Sequence, residues 1–143
     1  MVLTLNPAEL LRQARDSNRI SDMSVIKSAL SLYLADVTTP VLAEADSTVR
    51  CFISTGYTVA ANCGGRHVGA TGSTSTTPLA LDGTGWVGNS LAAGSGPVLT
   101  GISSGAPVSA WPTDPITNSV TYFYSYAANT GNNTFELNAD MES

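Results

Sequence analysis

The chain has one histidine, His67, in the run Gly64-Gly65-Arg66-His67. A histidine works as a general base only beside a nucleophile and an orienting partner. Its sequence neighbours supply neither, so His67 reads as a solvated loop residue and no enzymatic activity is assigned. Glycines recur over residues 83–88 and 94–96. No strand-then-helix pattern frames them, so they read as turns and not as a phosphate-binding loop. The two cysteines, Cys51 and Cys63, have neither CxxC nor Cys/His zinc spacing. They read either as a disulfide closing a short loop or as two buried thiols, with the disulfide preferred. Such a bridge contributes roughly 3 kcal/mol by loop entropy and implies an oxidising compartment.

Other residue groups carry weaker chemistry. Tyr122, Tyr124, Tyr126 and Trp111 could form a sugar-binding platform, but a core-facing aromatic strand explains the tyrosines more simply. The sequence does not place Trp86 and Trp111, for which partial exposure is one option. Asn132-Asn133-Thr134 is a formal glycosylation sequon in an expected turn, where asparagine is common anyway. Arg12, Arg15 and Arg19 could touch lipid headgroups or DNA, but they interleave with Glu9, Asp16 and Asp22. That pattern favours ion pairs along an exposed helix face, such as Arg12 with Asp16 and Asp16 with Arg19.

The elements that must position these residues begin with one long helix. Asn6 suits an N-cap, Pro7 the first helical position, and Glu9 completes a capping-box-like start. No glycine or further proline follows until Thr39-Pro40, which stops any helix. The predicted helix spans 7–36 and is roughly 45 Å long. Ile20, Met23, Ile26, Ala29, Leu30, Tyr33 and Leu34 form a core-facing stripe in its second half. Its first half carries only Leu10, Leu11 and Ala14 among charges, and is expected to project like a stalk. Short strands are predicted over residues 49–54 and 57–61, with loop over 64–77. Leu79-Ala80-Leu81 precedes the turn signal Asp82-Gly83, and short extended pieces are expected at 85–87 and 96–99. A hairpin closes the chain, its first strand running from Val120 to Tyr126 and its second over 134–139.

Composition bounds the partners. With 143 residues, the expectation is one domain with a real core. Charged residues are 12%, against about 25% in an average soluble domain. Polarity rests on Ser, Thr, Asn and Gly, a balance common in secreted β-rich proteins. The net charge is −5, and beyond Asp36 the only bases are Arg50 and Arg66, so general nucleic-acid binding is not expected.

The order of features resembles the type IV pilin and pseudopilin family. Residues 14–36, from Ala14-Arg15-Asp16 through Arg19 to Ala29-Leu30 and Tyr33 with Asp36, are similar to the helix that follows the membrane segment in that family. Asp114-Pro115, the strand Tyr122-Phe123-Tyr124-Ser125-Tyr126, then Phe135-Glu136-Leu137-Asn138-Ala139 and Met141-Glu142 resemble its C-terminal pattern. The resemblance implies an α+β fold, a long N-terminal helix packed on an antiparallel sheet with a C-terminal hairpin. Residues 1–36 would be the C-terminal part of the spine helix and 37–143 a β-rich headgroup. It implies a structural subunit of a surface filament serving adhesion, motility or uptake. Its partners would be other pilin subunits, and the membrane through an apolar helix upstream, of which residues 1–5 would be the last part. The location would be the cell surface, or the periplasm for a pseudopilin of a secretion system. Leu10, Leu11, Arg12, Arg15, Asp16 and Arg19 are the residues expected to pack in the filament. No cofactor is expected. Some pseudopilins bind calcium near their C-terminus, and here Asp114, Asn118, Asn132, Asn133 and Asp140 supply oxygens; no EF-hand spacing exists, and local turn chemistry is preferred. From another class, a secreted carbohydrate-binding module is the alternative.

Overall fold

The computed structural model describes residues 6–42, 50–55, 63, 71–88, 96–116, 119, 121–129 and 132–142. Helix α1, Pro7–Asp36, has the predicted bounds. The Asn6 side chain accepts from the amide of Ala8, and Pro7 sits where a missing N–H costs nothing. At the other end the Val37 amide donates to the Tyr33 carbonyl. The chain then turns back on the helix through side chains. Tyr33 Oη accepts from the Val41 amide, and Tyr126 Oη donates to the Leu42 carbonyl.

The sheet has four strands: β1 (Arg50–Ile53), β2 (Thr71–Ser73), β3 (Tyr124–Asn129) and β4 (Thr134–Ala139), in the order β2-β1-β3-β4. β1, β3 and β4 are antiparallel, while β2 runs parallel to β1 on the outer edge. The expected loop over 64–77 is therefore corrected at Thr71–Ser73. A Thr-Gly-Ser segment has little strand propensity, but the open edge of β1 supplies ladder partners, and pairing overrides local preference. The predicted strand over 57–61, the start of the one over 49–54 and the loop histidine His67 lie outside the described residues. The hairpin is as expected in its second strand, pairing Tyr124 with Ala139 and Asn129 with Thr134. Its first strand starts later, at Tyr124, because the Ser119 hydroxyl accepts from the amides of Thr121 and Tyr122 and bends the chain there.

Period-two alternation along β1 and β3 makes two buried faces. Phe52, Tyr124, Tyr126 and Ala128 meet Ile26, Ala29, Leu30 and Tyr33 of the helix. Cys51, Ile53, Phe123 and Ala127 form a second cluster with Cys63 on the other side. Ile26 and Leu30 are fully buried, each contributing about 1.5–3 kcal/mol. The Cys51–Cys63 disulfide is formed and ties the strap at Cys63 to β1.

Residues 74–88 and 96–116 wrap the remaining edge of the core. Trp86 and Trp111, which the sequence left unplaced, are 0% and 1% exposed. Trp86 Nε1 donates to the Pro112 carbonyl. Trp111 lies against Gly85, where a β-carbon would collide with its indole and with the Ala80 carbonyl. The expected extended piece at 85–87 is a turn, because Trp86 is drawn inward and its amide bonds the Pro78 carbonyl. The piece at 96–99 shrinks to one bridge, Val98 to Asp82, before a 3-10 turn at Leu99–Gly101.

Candidate functional site: a charged clamp and the opposite helix face

The first half of α1 does not project as a whole. Arg19 is completely buried. Its Nε and Nη2 donate to both oxygens of Asp114 at 2.8 and 2.9 Å, a bidentate pair. Its Nη1 reaches Asp16 Oδ1 and Glu142 Oε2, each at 2.7 Å. The ring of Tyr122 covers the guanidinium, 5.2 Å from ring centre to Cζ. Arg15 adds two bonds to the Glu142 carboxylate at 2.6 and 2.7 Å, and the Glu142 amide donates to Asp16. The C-terminal segment is thus fastened across the helix between Arg15 and Arg19.

This arrangement corrects the expectation of ion pairs along an exposed face. Asp16 pairs with Arg19 as the spacing predicts, but inside the fold. Arg12 pairs with Glu9 at 3.6 Å and not with Asp16. The i,i+3 and i,i+4 rule fixes which residues are neighbours on a helix, not which side of it the rest of the chain will cover. Asp114 and Glu142 lie 95 and 123 residues away from Arg19, so no local pattern announces them. Among the expected filament-packing residues, Leu10 and Leu11 remain 51% and 59% exposed, Arg12 is exposed, and Arg15, Asp16 and Arg19 are held by the clamp.

Electrostatics follow the geometry. Hydrogen bonds from Arg15 hold the Glu142 carboxyl down at about 2, with Arg19 adding to the effect. The bonds to Asp114, Glu142 and Asp16 raise Arg19 further above its usual range. Nearby, Tyr124 Oη donates to Asp22 at 2.6 Å. Burial pushes Asp22 up, against the opposing effect of that hydrogen bond, and burial followed by Asp22 raises Tyr124.

Asp114 is occupied by Arg19 and the Ile116 amide, Asn132 and Asn133 sit exposed in the hairpin turn, and Asn118 lies outside the described residues. Among the described residues no group of three or more His, Cys, Asp or Glu side chains is placed to hold a metal. Tyr124, Tyr126 and Trp111 belong to the core, which leaves Tyr122 as the half-buried member of the considered aromatic platform.

The opposite face of α1 was missed by sequence reasoning. At 100° per residue, every charged side chain of the helix falls on the half turned to the head or its flanks. The other half carries Leu10, Ala14, Ser21, Val25, Ser28 and Leu32, all exposed and uncharged. Small residues recur there at alternating three- and four-residue steps: Ala14, Ser17, Ser21, Ser24, Ser28, Ser31 and Ala35. The spacing was legible, but serines read as ordinary solvated surface until the structure shows which face stays exposed, with Pro107 and Val108 bordering it beside Val25, Ser28 and Leu32. Among the described residues no helix is long and apolar enough to cross a membrane.

No family model, no curated protein and no solved structure matches the chain.

Proposed function

We propose that this chain is the headgroup of a type IV pilin-like subunit, a structural component of a filament at the cell surface. The observation that carries the reading is the two-sided helix. One side of α1 is fixed to the head by the core and by the Arg19 clamp. The opposite side, from Leu10 to Ala35, is uncharged and, Gln13 apart, built of small or aliphatic residues. Small side chains let a neighbouring helix approach closely, and the missing charge removes the desolvation cost that such an approach would carry. The order of elements, one long helix followed by an antiparallel sheet that ends in a hairpin, supports the same reading. So does the disulfide, which suits an oxidising compartment. In this role Leu10 and Leu11 extend the packing surface, while Arg15, Asp16 and Arg19 hold the head at a fixed angle to the spine. A periplasmic pseudopilus would use the same surface, and the location of the native protein distinguishes the two.

The test places charge on the bare face of the native protein. Ser21→Arg with Ser28→Arg is expected to abolish filaments containing this subunit, seen by electron microscopy and intact mass of the sheared surface fraction. Thermal stability of the isolated head should stay within about 0.5 kcal/mol of the parent, as for surface changes that break no contact. Unchanged filament yield, or the absence of the protein from any filament, would sink the reading.

A further inference from the structure

On the head, away from the bare helix face, lies an open cleft of about 420 Å³ lined by Ser54, Thr76, Leu79, Thr113, Asp114 and Tyr122, among others. Its size falls within the roughly 300–1,000 Å³ range of small-molecule sites. Its chemistry is unusual for a surface this acidic. Six of the ten lining residues carry a hydroxyl among apolar surface, and the carboxylate, Asp114, is already neutralised from behind by the buried Arg19. Among the described residues, the hydroxyls of Thr76, Thr113 and Tyr122 make no hydrogen bond, and Ser54 Oγ accepts from the Tyr124 amide with its own proton still to place. Leu79 is 52% exposed on the same wall, a large apolar side chain that the core does not use. The Tyr122 ring is held in place because its other face lies over Arg19.

We propose that this cleft binds an uncharged sugar. A pyranose presents hydroxyls that both donate and accept, and a flat C–H face. Hydroxyl side chains match the first, and Leu79 with the Tyr122 ring matches the second. Charged sugars are disfavoured: an anionic one meets a chain of net charge −5 and finds no open cation, because Arg19 is sealed off by its own partners. The inference is independent of the filament reading. Arg19 and Ser28 are nine residues apart, which places them half a turn from each other around α1, so the cleft and the bare face lie on opposite sides of the helix.

The experiment is an amide NMR titration of the whole chain with methyl glycosides of glucose, galactose, mannose and N-acetylglucosamine, and with glucuronate as the anionic control. At least one neutral glycoside is expected to give saturable shifts at Ser54, Thr113 and Tyr122, with Kd on the order of 1 mM. Leu79→Asp and Tyr122→Phe should each weaken it by about threefold or more while leaving the melting curve unchanged. The proposal is overturned if no glycoside shifts these amides, if the shifts lie elsewhere, if both variants bind like the parent, or if glucuronate binds more tightly than the neutral sugars. None of these outcomes bears on whether the subunit builds filaments.

Discussion

Arg19 is the residue on which the head and the helix depend together. A fully buried guanidinium is tolerated because Asp114, Asp16 and Glu142 satisfy its donors. Removing one partner of a buried pair leaves the other charge desolvated without compensation. Asp114→Ala is therefore expected to lower the unfolding free energy by about 3–5 kcal/mol in urea denaturation. A loss of about 1 kcal/mol or less, the size seen for exposed pairs, would show that the pair is not buried in solution. Glu142 predicts a pH dependence. Its folded value of about 2 lies below its ordinary value of 4.5. Its stabilising effect is therefore fully present above pH 4.5 and is lost as pH falls through about 2. Asp22 and Asp140, both pushed up by burial, act with the opposite sign and gain relative stability as pH falls. The Glu142→Gln variant should show a shallower acid-side decline than the parent. Identical pH profiles for the two proteins would remove Glu142 from the clamp.

At the scale of elements, the sheet is held by unlike devices at its two edges. β4 has a full six-residue register against β3, fixed by a turn in which Asn133 takes φ 53° and the Asn129 side chain accepts from the Asn132 amide. β1 pairs with β3 at only two positions, Phe52 with Tyr126 and Ile53 with Ser125. The disulfide from Cys51 reinforces that short strand by shortening the loop the unfolded chain can explore. Replacing both cysteines by alanine should cost roughly 2–4 kcal/mol in chemical denaturation. Hydrogen exchange should rise first in β1 and β2, with β3 and β4 less affected. Uniform exchange across the sheet would mean that the bridge stabilises the whole unit and not this edge.

For the whole molecule, the division of labour is between faces. One side of α1 closes the core, one end is strapped by the C-terminus, and the remaining side is left bare. On the filament reading proposed above, the exposed uncharged face of α1 is the side open to a neighbouring helix. If the proposed filament role holds, charge placed on the exposed face alters assembly and leaves folding unchanged.

The helix bounds, its cap, the core-facing stripe from Met23 to Leu34, the disulfide and the second hairpin strand could all be read from the amino-acid sequence, whereas Ile20, expected in that stripe, is 62% exposed. Each rests on a short-range rule: capping geometry, a 3.6-residue period, a two-residue period, or loop closure between near neighbours. The burial of Arg19, the parallel edge strand β2, the enclosure of Trp86 and Trp111, and the cleft beside Tyr122 could not. They depend on groups brought together from opposite ends of the chain, as Arg15 and Glu142 are across 127 residues. Local sequence names the residues that can pair or pack, but which side of the helix is covered, and so which face stays exposed, is decided only when the distant C-terminus folds down onto it.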